Sequence, residues 1–139
     1  MPPPKRLLHA CLGLYDAMMA GDTFLLPDFD DHLWAVISDP AINGNNVVIV
    51  LFVSWTEKYD QACVLHGGEH PFIKHETCVQ YPGAKVVANA RLEELRKSGQ
   101  LRPKAALSAG LLALIRERTE NADLPTFAYE ILREQGFVP

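Results

Sequence analysis

The sequence predicts a single domain of the α+β class. Short apolar segments separated by turn residues occupy residues 21–87, a pattern typical of a meander of about five strands. On both sides of this region, apolar residues recur at steps of three and four, as in amphipathic helices. The chain has 139 residues, enough to bury a core of its own. We therefore expect an N-terminal helix over residues 5–20, a strand region over 21–87 and a helical part over 88–136.

Composition and charge restrict the classes of protein that the chain fits. Hydrophobic residues make up 48% and charged residues 22% of the sequence, as in globular proteins. No apolar run approaches the roughly 20 residues of a membrane span. The basic, partly apolar start is interrupted by His9 and Asp16, so we interpret it as mature protein. The net charge of −4 argues against a large nucleic-acid footprint, although residues 85–104 carry six bases and only two acids.

The cysteines indicate the compartment. Cys11, Cys63 and Cys78 form an odd number without a Cys-x-x-Cys spacing, which argues against a disulfide framework and a zinc knuckle. We therefore expect a cytoplasmic protein whose cysteines are small, buried apolar residues.

The first elements are delimited by glycine and proline. Gly21 ends the helix predicted over residues 5–20, and Pro27 ends a short strand over residues 23–26. The acidic turn at residues 28–31 is interpreted as a solvated loop rather than a metal site, because no matching set of ligands accompanies it.

The central strands have stronger signals. Residues 32–38 hold strand formers on both faces, and an Asn-Gly turn at residues 43–46 leads into residues 47–55, a continuous apolar run. A strand exposed on one face would alternate in polarity, so we expect this one to be buried on both faces. Further strands are predicted over residues 62–65, 77–81 and 85–87, the last two separated by a turn at Pro82 and Gly83.

The C-terminal part is predicted to be helical, over residues 88–98, 103–118 and 125–135. Gly99 closes the first helix. Pro103 occupies a first-turn position that suits the start of the second helix, and Asp123 is positioned to cap the third.

Residues 63–81 carry the densest group of ionisable side chains, around a glycine pair. Three of the five histidines lie here with an acid and a base: His66, Glu69, His70, Lys74 and His75. Because Pro71 favours an extended backbone at His70, the histidines do not share a helical face. His66 is interpreted as a surface residue. A zinc site built from the three histidines and Glu69 is an alternative, but these spacings match no familiar zinc signature.

Five segments resemble relatives of the PemK/MazF-like toxin superfamily: GDTF at residues 21–24, HLWAVISDP at 32–40, VVIVLFVSW at 47–55, DQACVL at 60–65 and GEHPFIKHETCVQY at 68–81. The resemblance implies a small SH3-like β-barrel with a barrel core over residues 21–87. It also implies cleavage of messenger RNA without a metal, restraint by an antitoxin and a homodimer. The superfamily's toxins place a threonine or serine at the end of the long strand, where Ser54 lies. They carry an Arg-Pro at the start of the preceding strand, where this chain has His32.

Cleavage of RNA without a metal requires a base for the 2′-hydroxyl, an acid for the leaving oxygen and a donor or cation for the phosphate. Histidine serves either proton-transfer role, since its unperturbed pKa is about 6.5. We expect His32 to face the loop that carries His70 and His75. The predicted catalytic residues are His32, Ser54, His70 and His75, the predicted RNA-binding residues are Lys74, Lys85 and Arg91, and no metal or other cofactor is expected.

Two functions are open from the sequence. The first is a cytoplasmic, homodimeric toxin that cleaves single-stranded RNA and is held in check by an antitoxin. The second is a non-catalytic barrel that binds a protein partner, either an antitoxin or a host target. The histidine group favours the first function. The net charge of −4 and the missing arginine favour the second.

Overall fold

The computed structural model describes residues 18–27, 32–41, 45–54 and 62–139. In these residues a six-stranded antiparallel sheet and three α-helices form an α+β fold, which confirms the predicted class. The strands are β1 (Thr23–Leu25), β2 (Leu33–Val36), β3 (Asn46–Ser54), β4 (Val64–Leu65), β5 (Thr77–Ala88) and β6 (Arg102–Lys104). The α-helices are α1 (Asn89–Lys97), α2 (Ala109–Glu117) and α3 (Thr126–Glu134), with a 3₁₀-helix at Arg118–Asn121 after α2.

Several predicted features lie outside the described residues. These are the predicted N-terminal helix as far as residue 17, the acidic turn at 28–31, residues 43 and 44 of the Asn-Gly turn, and Trp55 at the end of the strand predicted over 47–55. Met18 and Met19 are described, and they are buried but not helical. The predicted helix therefore does not extend to residue 20.

The strands are hydrogen-bonded in the order β4-β5-β3-β2-β1-β6, and every pair is antiparallel. The longest pairing joins β3 to β5, from Asn46 opposite Ala88 to Ser54 opposite Thr77. β4 and β6 are the two edges, so the ladder formed by the described residues is an open sheet. Closure into a barrel stays a prediction.

The middle of the sheet is buried on both faces, as the apolar run of β3 predicted. Val47 to Val50 are each at most 2% exposed. Val48 and Val50 enter a hydrophobic cluster with residues of α2 and α3, whereas Val47 and Ile49 enter a second cluster with residues of α1. Helices thus cover both faces, which explains why β3 does not alternate in polarity.

The predicted turn at Pro82 and Gly83 is wrong, because both residues lie inside β5. The register between β3 and β5 shifts between Ile49 and Leu51, which marks a β-bulge. A bulge accommodates a proline that has no N–H to donate. It also brings the backbone close to β3, since a Cβ on Gly83 would lie 2.7 Å from Cδ2 of Leu51.

Pro103 is predicted to open a helix, and this prediction is also wrong. Pro103 lies in the edge strand β6, opposite Phe24 of β1. An edge strand tolerates proline because one side of its backbone has no neighbouring strand to bond. The helix α2 begins later, where the Ser108 hydroxyl accepts a hydrogen bond of 3.1 Å from the Leu111 N–H. The sheet therefore has six strands rather than about five.

The helix ends follow the predicted signals in part. Gly99 follows α1 with φ of 81°, and Gly136 follows α3 with φ of 80°, the left-handed conformation that glycine adopts readily. The N-cap of α3 is Pro125, so the predicted cap at Asp123 is wrong. Among the described residues, each helix is too short or too polar to cross a membrane.

The C-terminal helices belong to the same core as the strands. The buried Tyr81 hydroxyl of β5 donates to the Ile115 carbonyl oxygen of α2 over 2.8 Å. Nε of Arg116 donates to the Ile37 carbonyl oxygen over 2.7 Å, and its guanidinium group lies 3.4 Å from the centre of the Phe137 ring. These contacts fix α2 and the C-terminal segment on one face of the sheet.

The two cysteines in the described part, Cys63 and Cys78, are buried, as predicted. Burial raises the pKa of the Cys63 thiol, which disfavours the reactive thiolate. We therefore assign them to packing.

Candidate functional site

A pocket of about 170 Å³ lies where three strand ends meet. Leu33, at the start of β2, is opposite Phe52, and Ser54, at the end of β3, is opposite Thr77, at the start of β5. Antiparallel pairing therefore brings these strand ends to the same side of the sheet. The pocket is lined by His32, Leu33, Phe52, Val53, Ser54, Phe72, Ile73, His75 and Thr77.

Ser54 and His75 form the polar centre of this pocket. Ser54 Oγ lies 2.7 Å from Nε2 of His75, a hydrogen-bond distance, and both side chains are exposed. The Thr77 hydroxyl donates to the His75 carbonyl oxygen over 2.9 Å, which fixes the turn that presents the imidazole. The fold thus pairs Ser54 with a histidine 21 residues away along the chain.

His32 lines the same pocket from the β2 side, and its side chain is exposed. It directly precedes Leu33, so it lies beside the end of β3 that carries Ser54. Because β3 lies between β2 and β5 in the sheet, His32 and His75 approach Ser54 from the two neighbouring strands. The structure thus brings three of the four predicted catalytic residues together.

His70, the fourth predicted catalytic residue, is buried and only 3% exposed. Its Nδ1 accepts a hydrogen bond from the Phe72 N–H over 3.0 Å, so Nε2 carries the ring proton. That Nε2–H donates to the Ala105 carbonyl oxygen over 2.6 Å. Both ring nitrogens therefore bond the backbone, and we correct the predicted catalytic role of His70 to a structural one.

Replacing His70 with alanine is expected to lower the free energy of unfolding by about 1–3 kcal/mol, because the buried imidazole and its hydrogen bonds to Phe72 and Ala105 are lost. Urea denaturation followed by circular dichroism measures this change. His66→Ala, in the same loop but exposed, should remain within about 0.5 kcal/mol of the wild type. A His70→Ala protein as stable as His66→Ala would contradict the structural role.

The loop that carries His75 packs tightly against itself at Gly67. A Cβ on Gly67 would lie 2.8 Å from the Lys74 carbonyl oxygen and 3.3 Å from the His75 nitrogen. These are backbone atoms, so they cannot rotate away as a side chain would. The Gly68 N–H also donates to the Ile73 carbonyl oxygen over 2.8 Å. The glycine therefore permits the close approach that sets the position of His75.

Gly67→Ala is expected to destabilise the protein by about 1–3 kcal/mol, since the added methyl group forces the Lys74 backbone to move. Thermal unfolding measures the effect. Gly110→Ala is the matched control, because Gly110 lies in α2 with open space around its Cβ position. It should raise stability by about 0.5–1 kcal/mol, the usual gain of alanine over glycine in a helix. Equal effects of the two substitutions would argue against the tight packing at Gly67.

His66 is an exposed residue outside the pocket lining, as predicted. Its Nδ1–H donates to the Glu76 carboxylate over 2.8 Å, and this hydrogen bond raises the pKa of His66. Its backbone N–H donates to the Glu69 carboxylate over 2.7 Å. The residues proposed as ligands of the alternative zinc site therefore form hydrogen bonds with separate groups of the protein. Within the described ranges, no group of three histidine, cysteine or acidic residues is placed to hold a metal ion.

The three predicted RNA-binding cations do not lie together. Lys74 is exposed and directly precedes His75. Lys85 is paired with Ile49, five residues from Ser54 along β3, which is a separation of roughly 17 Å. Arg91 lies further on, in α1, where its guanidinium bonds the Glu94 carboxylate over 3.2 Å. Only Lys74 is placed beside the pocket.

Phe72 and Thr77 are two of the six pocket residues that are not predicted as site residues from the sequence. Phe72 had an available signal, because it is an aromatic residue inside an otherwise ionisable loop. Thr77 had none, since its role depends on the position of the His75 carbonyl oxygen.

Comparison with protein-family models gives no match, and comparison with curated proteins gives no significant match. The pocket geometry and the resemblance of residues 21–81 are therefore the basis for a functional proposal.

Proposed function

We propose that the protein is a metal-independent endoribonuclease that cleaves single-stranded RNA through attack of a 2′-hydroxyl on the adjacent phosphate. The observation that carries this proposal is the Ser54–His75 pair, 2.7 Å apart, in a pocket that His32 also lines. Two imidazoles and a hydroxyl can supply the base, the acid and the hydrogen-bond donor that this reaction requires. All three side chains are exposed, so a phosphodiester can reach them.

In the proposed reaction, His75 is the base and His32 is the acid. Nε2 of His75 takes the proton of the 2′-hydroxyl, and the 2′-oxygen forms a bond to phosphorus. The bond between phosphorus and the 5′-oxygen breaks, and His32 gives that oxygen a proton. The products are a 2′,3′-cyclic phosphate and a free 5′-hydroxyl.

In this scheme Ser54 and Lys74 stabilise the negative charge of the phosphate. When the 2′-hydroxyl hydrogen-bonds to Nε2 of His75, it displaces the Ser54 hydroxyl. The Ser54 hydroxyl then donates a hydrogen bond to a non-bridging phosphate oxygen. Lys74, exposed beside His75, adds a compact positive charge. Lys85 and Arg91 are too distant for the same phosphate, so we assign them to nucleotides further along the RNA.

We also propose that the sheet is the SH3-like barrel of PemK/MazF-like toxins, acting in the cytoplasm as a homodimer restrained by an antitoxin. The resemblance of residues 21–81 supports this proposal. The hydrogen bond of His70 to Ala105 supports closure of the barrel. It joins the loop after β4 to the residue after β6, and these strands are the two edges of the sheet.

A non-catalytic protein that binds a partner through the same pocket is the second candidate. The net charge of −4 favours it, because an acidic surface repels the phosphate backbone of RNA. In this case the exposed ring of Phe72 would be a contact for the protein partner.

Induced expression in a bacterial host separates the two candidates. The ribonuclease should arrest growth and fragment messenger RNA, and His75→Ala should restore both growth and intact RNA. Arrest with intact messenger RNA would favour the binding protein. Normal growth with intact RNA would contradict the toxin proposal.

A further inference from the structure

Phe72 is an exposed aromatic side chain on the wall of the pocket. It is 41% exposed, whereas its neighbour Ile73 is 3% exposed and packs in the core. The chain thus directs the Phe72 side chain towards solvent and the Ile73 side chain into the core. Single exposed apolar residues are common on protein surfaces, so exposure alone implies no function. The informative feature is that Phe72 lines the same pocket as Ser54 and His75.

The backbone holds Phe72 in a defined turn. Its N–H donates to Nδ1 of His70 over 3.0 Å, and the Ile73 N–H donates to the His70 carbonyl oxygen over 2.9 Å. His70 is in turn anchored on the Ala105 carbonyl oxygen. The backbone at Phe72 is therefore held in place, so a ligand that stacks on the ring does not have to order the loop.

We infer that Phe72 is the stacking platform for one unpaired base next to the cleaved phosphate. The inference rests on the proposed ribonuclease function and adds which part of the RNA contacts the pocket. At about 170 Å³ the pocket is smaller than sites that enclose a whole ligand; those usually measure about 300–1,000 Å³. The pocket therefore accommodates a single part of the RNA, such as one base, against its wall. A base inside a duplex is already stacked on both faces, so only an unpaired base has a face to offer.

This platform selects single-stranded RNA without reading base identity. Every base has a π-face, so stacking on a phenylalanine tolerates all of them. Leu33, Phe52 and Ile73 also line the pocket, and their side chains have no hydrogen-bonding groups for a base edge. The polar lining residues His32, Ser54 and His75 are assigned to the phosphate and to proton transfer in the proposed reaction. The expected substrate is thus an unpaired segment of broad sequence.

The test compares variants of Phe72 on an RNA analogue that resists cleavage. Phe72→Trp keeps an aromatic face, Phe72→Leu keeps apolar volume alone, and Phe72→Ala removes both. Phe127→Ala is the control, because Phe127 is also an exposed phenylalanine and lies in α3, outside the pocket lining. The probe is a short 2′-O-methyl oligonucleotide that contains 2-aminopurine, whose fluorescence falls when the base stacks. Circular dichroism verifies that each variant is folded.

The wild type, Phe72→Trp and Phe127→Ala should bind the probe and quench its fluorescence. Phe72→Leu and Phe72→Ala should bind roughly 5- to 150-fold more weakly and without quenching, the range expected for the loss of one stacked base. Full quenching by Phe72→Ala, or none by the wild type, would overturn the inference.

Unmodified RNA, incubated with the same wild-type protein, reports separately on the proposed function. Cleavage without quenching of the probe overturns the platform alone. Quenching without cleavage overturns the ribonuclease and supports the base platform.

Discussion

Replacement of His75 with alanine is expected to lower the rate of RNA cleavage by about 10²- to 10⁴-fold, the usual contribution of a positioned base. The reason is the position of Nε2, 2.7 Å from Ser54 Oγ and open to a substrate. Because the side chain is exposed, the free energy of unfolding should change by no more than about 0.5 kcal/mol. Initial rates on a labelled single-stranded RNA and urea unfolding, measured on one preparation, test both expectations.

His66→Ala is the matched control for this substitution. His66 lies in the same loop and is also exposed, but its imidazole bonds Glu76 outside the pocket lining. We expect it to cleave RNA at the wild-type rate. If His75→Ala cleaves as fast as His66→Ala, His75 is not the base. If His75→Ala is inactive because it is unfolded, the urea measurement shows it.

Replacement of His32 with alanine should cause a loss of similar size, about 10²- to 10⁴-fold, because the leaving 5′-oxygen then lacks its acid. His32 directly precedes β2 and lines the pocket opposite the β5 side, where His75 lies. The double variant His32→Ala/His75→Ala should be little slower than either single variant, since residues that act as a unit are not additive. Single-turnover rates of the three variants measure this.

A change of leaving group separates the acid from the base. In a uridine 3′-phosphodiester of 4-nitrophenol, the leaving oxygen is stable as an anion and needs no proton. His32→Ala should therefore cleave this ester at nearly the wild-type rate, whereas His75→Ala should stay slow. Equal loss in both variants would show that His32 does not serve as the acid, and the reverse pattern would exchange the two roles.

The sequence was sufficient where the structural signal is local. The unbroken apolar run of β3 required burial on both faces, and Gly99 marked the end of α1. The predictions at Pro82 and Pro103 are wrong, because proline in a local pattern indicates a turn or the first turn of a helix. A bulge against β3 accommodates the first, and an edge position beside β1 accommodates the second. Both solutions depend on strand pairing, which local patterns do not contain.

For the site, the location was predictable and the individual roles were not. Ser54, His32 and His75 meet because the strands that carry them end on one side of the sheet. His70 and His75 looked equivalent in sequence, since both lie in one ionisable loop. What separates them is a carbonyl oxygen 35 residues from His70, that of Ala105, together with the Phe72 N–H. The contact with Ala105 joins the loop after β4 to the residue after β6, and local sequence patterns do not contain such a contact.

The most direct test of the central claim is to identify the ends of the RNA fragments. Purified protein is incubated with a single-stranded RNA in excess EDTA, and the products are analysed by mass spectrometry. The proposed chemistry predicts fragments with a 2′,3′-cyclic phosphate and a 5′-hydroxyl, and no cleavage where the 2′-hydroxyl is replaced by hydrogen. Intact RNA, or fragments that end in a 3′-hydroxyl and a 5′-phosphate, would contradict it.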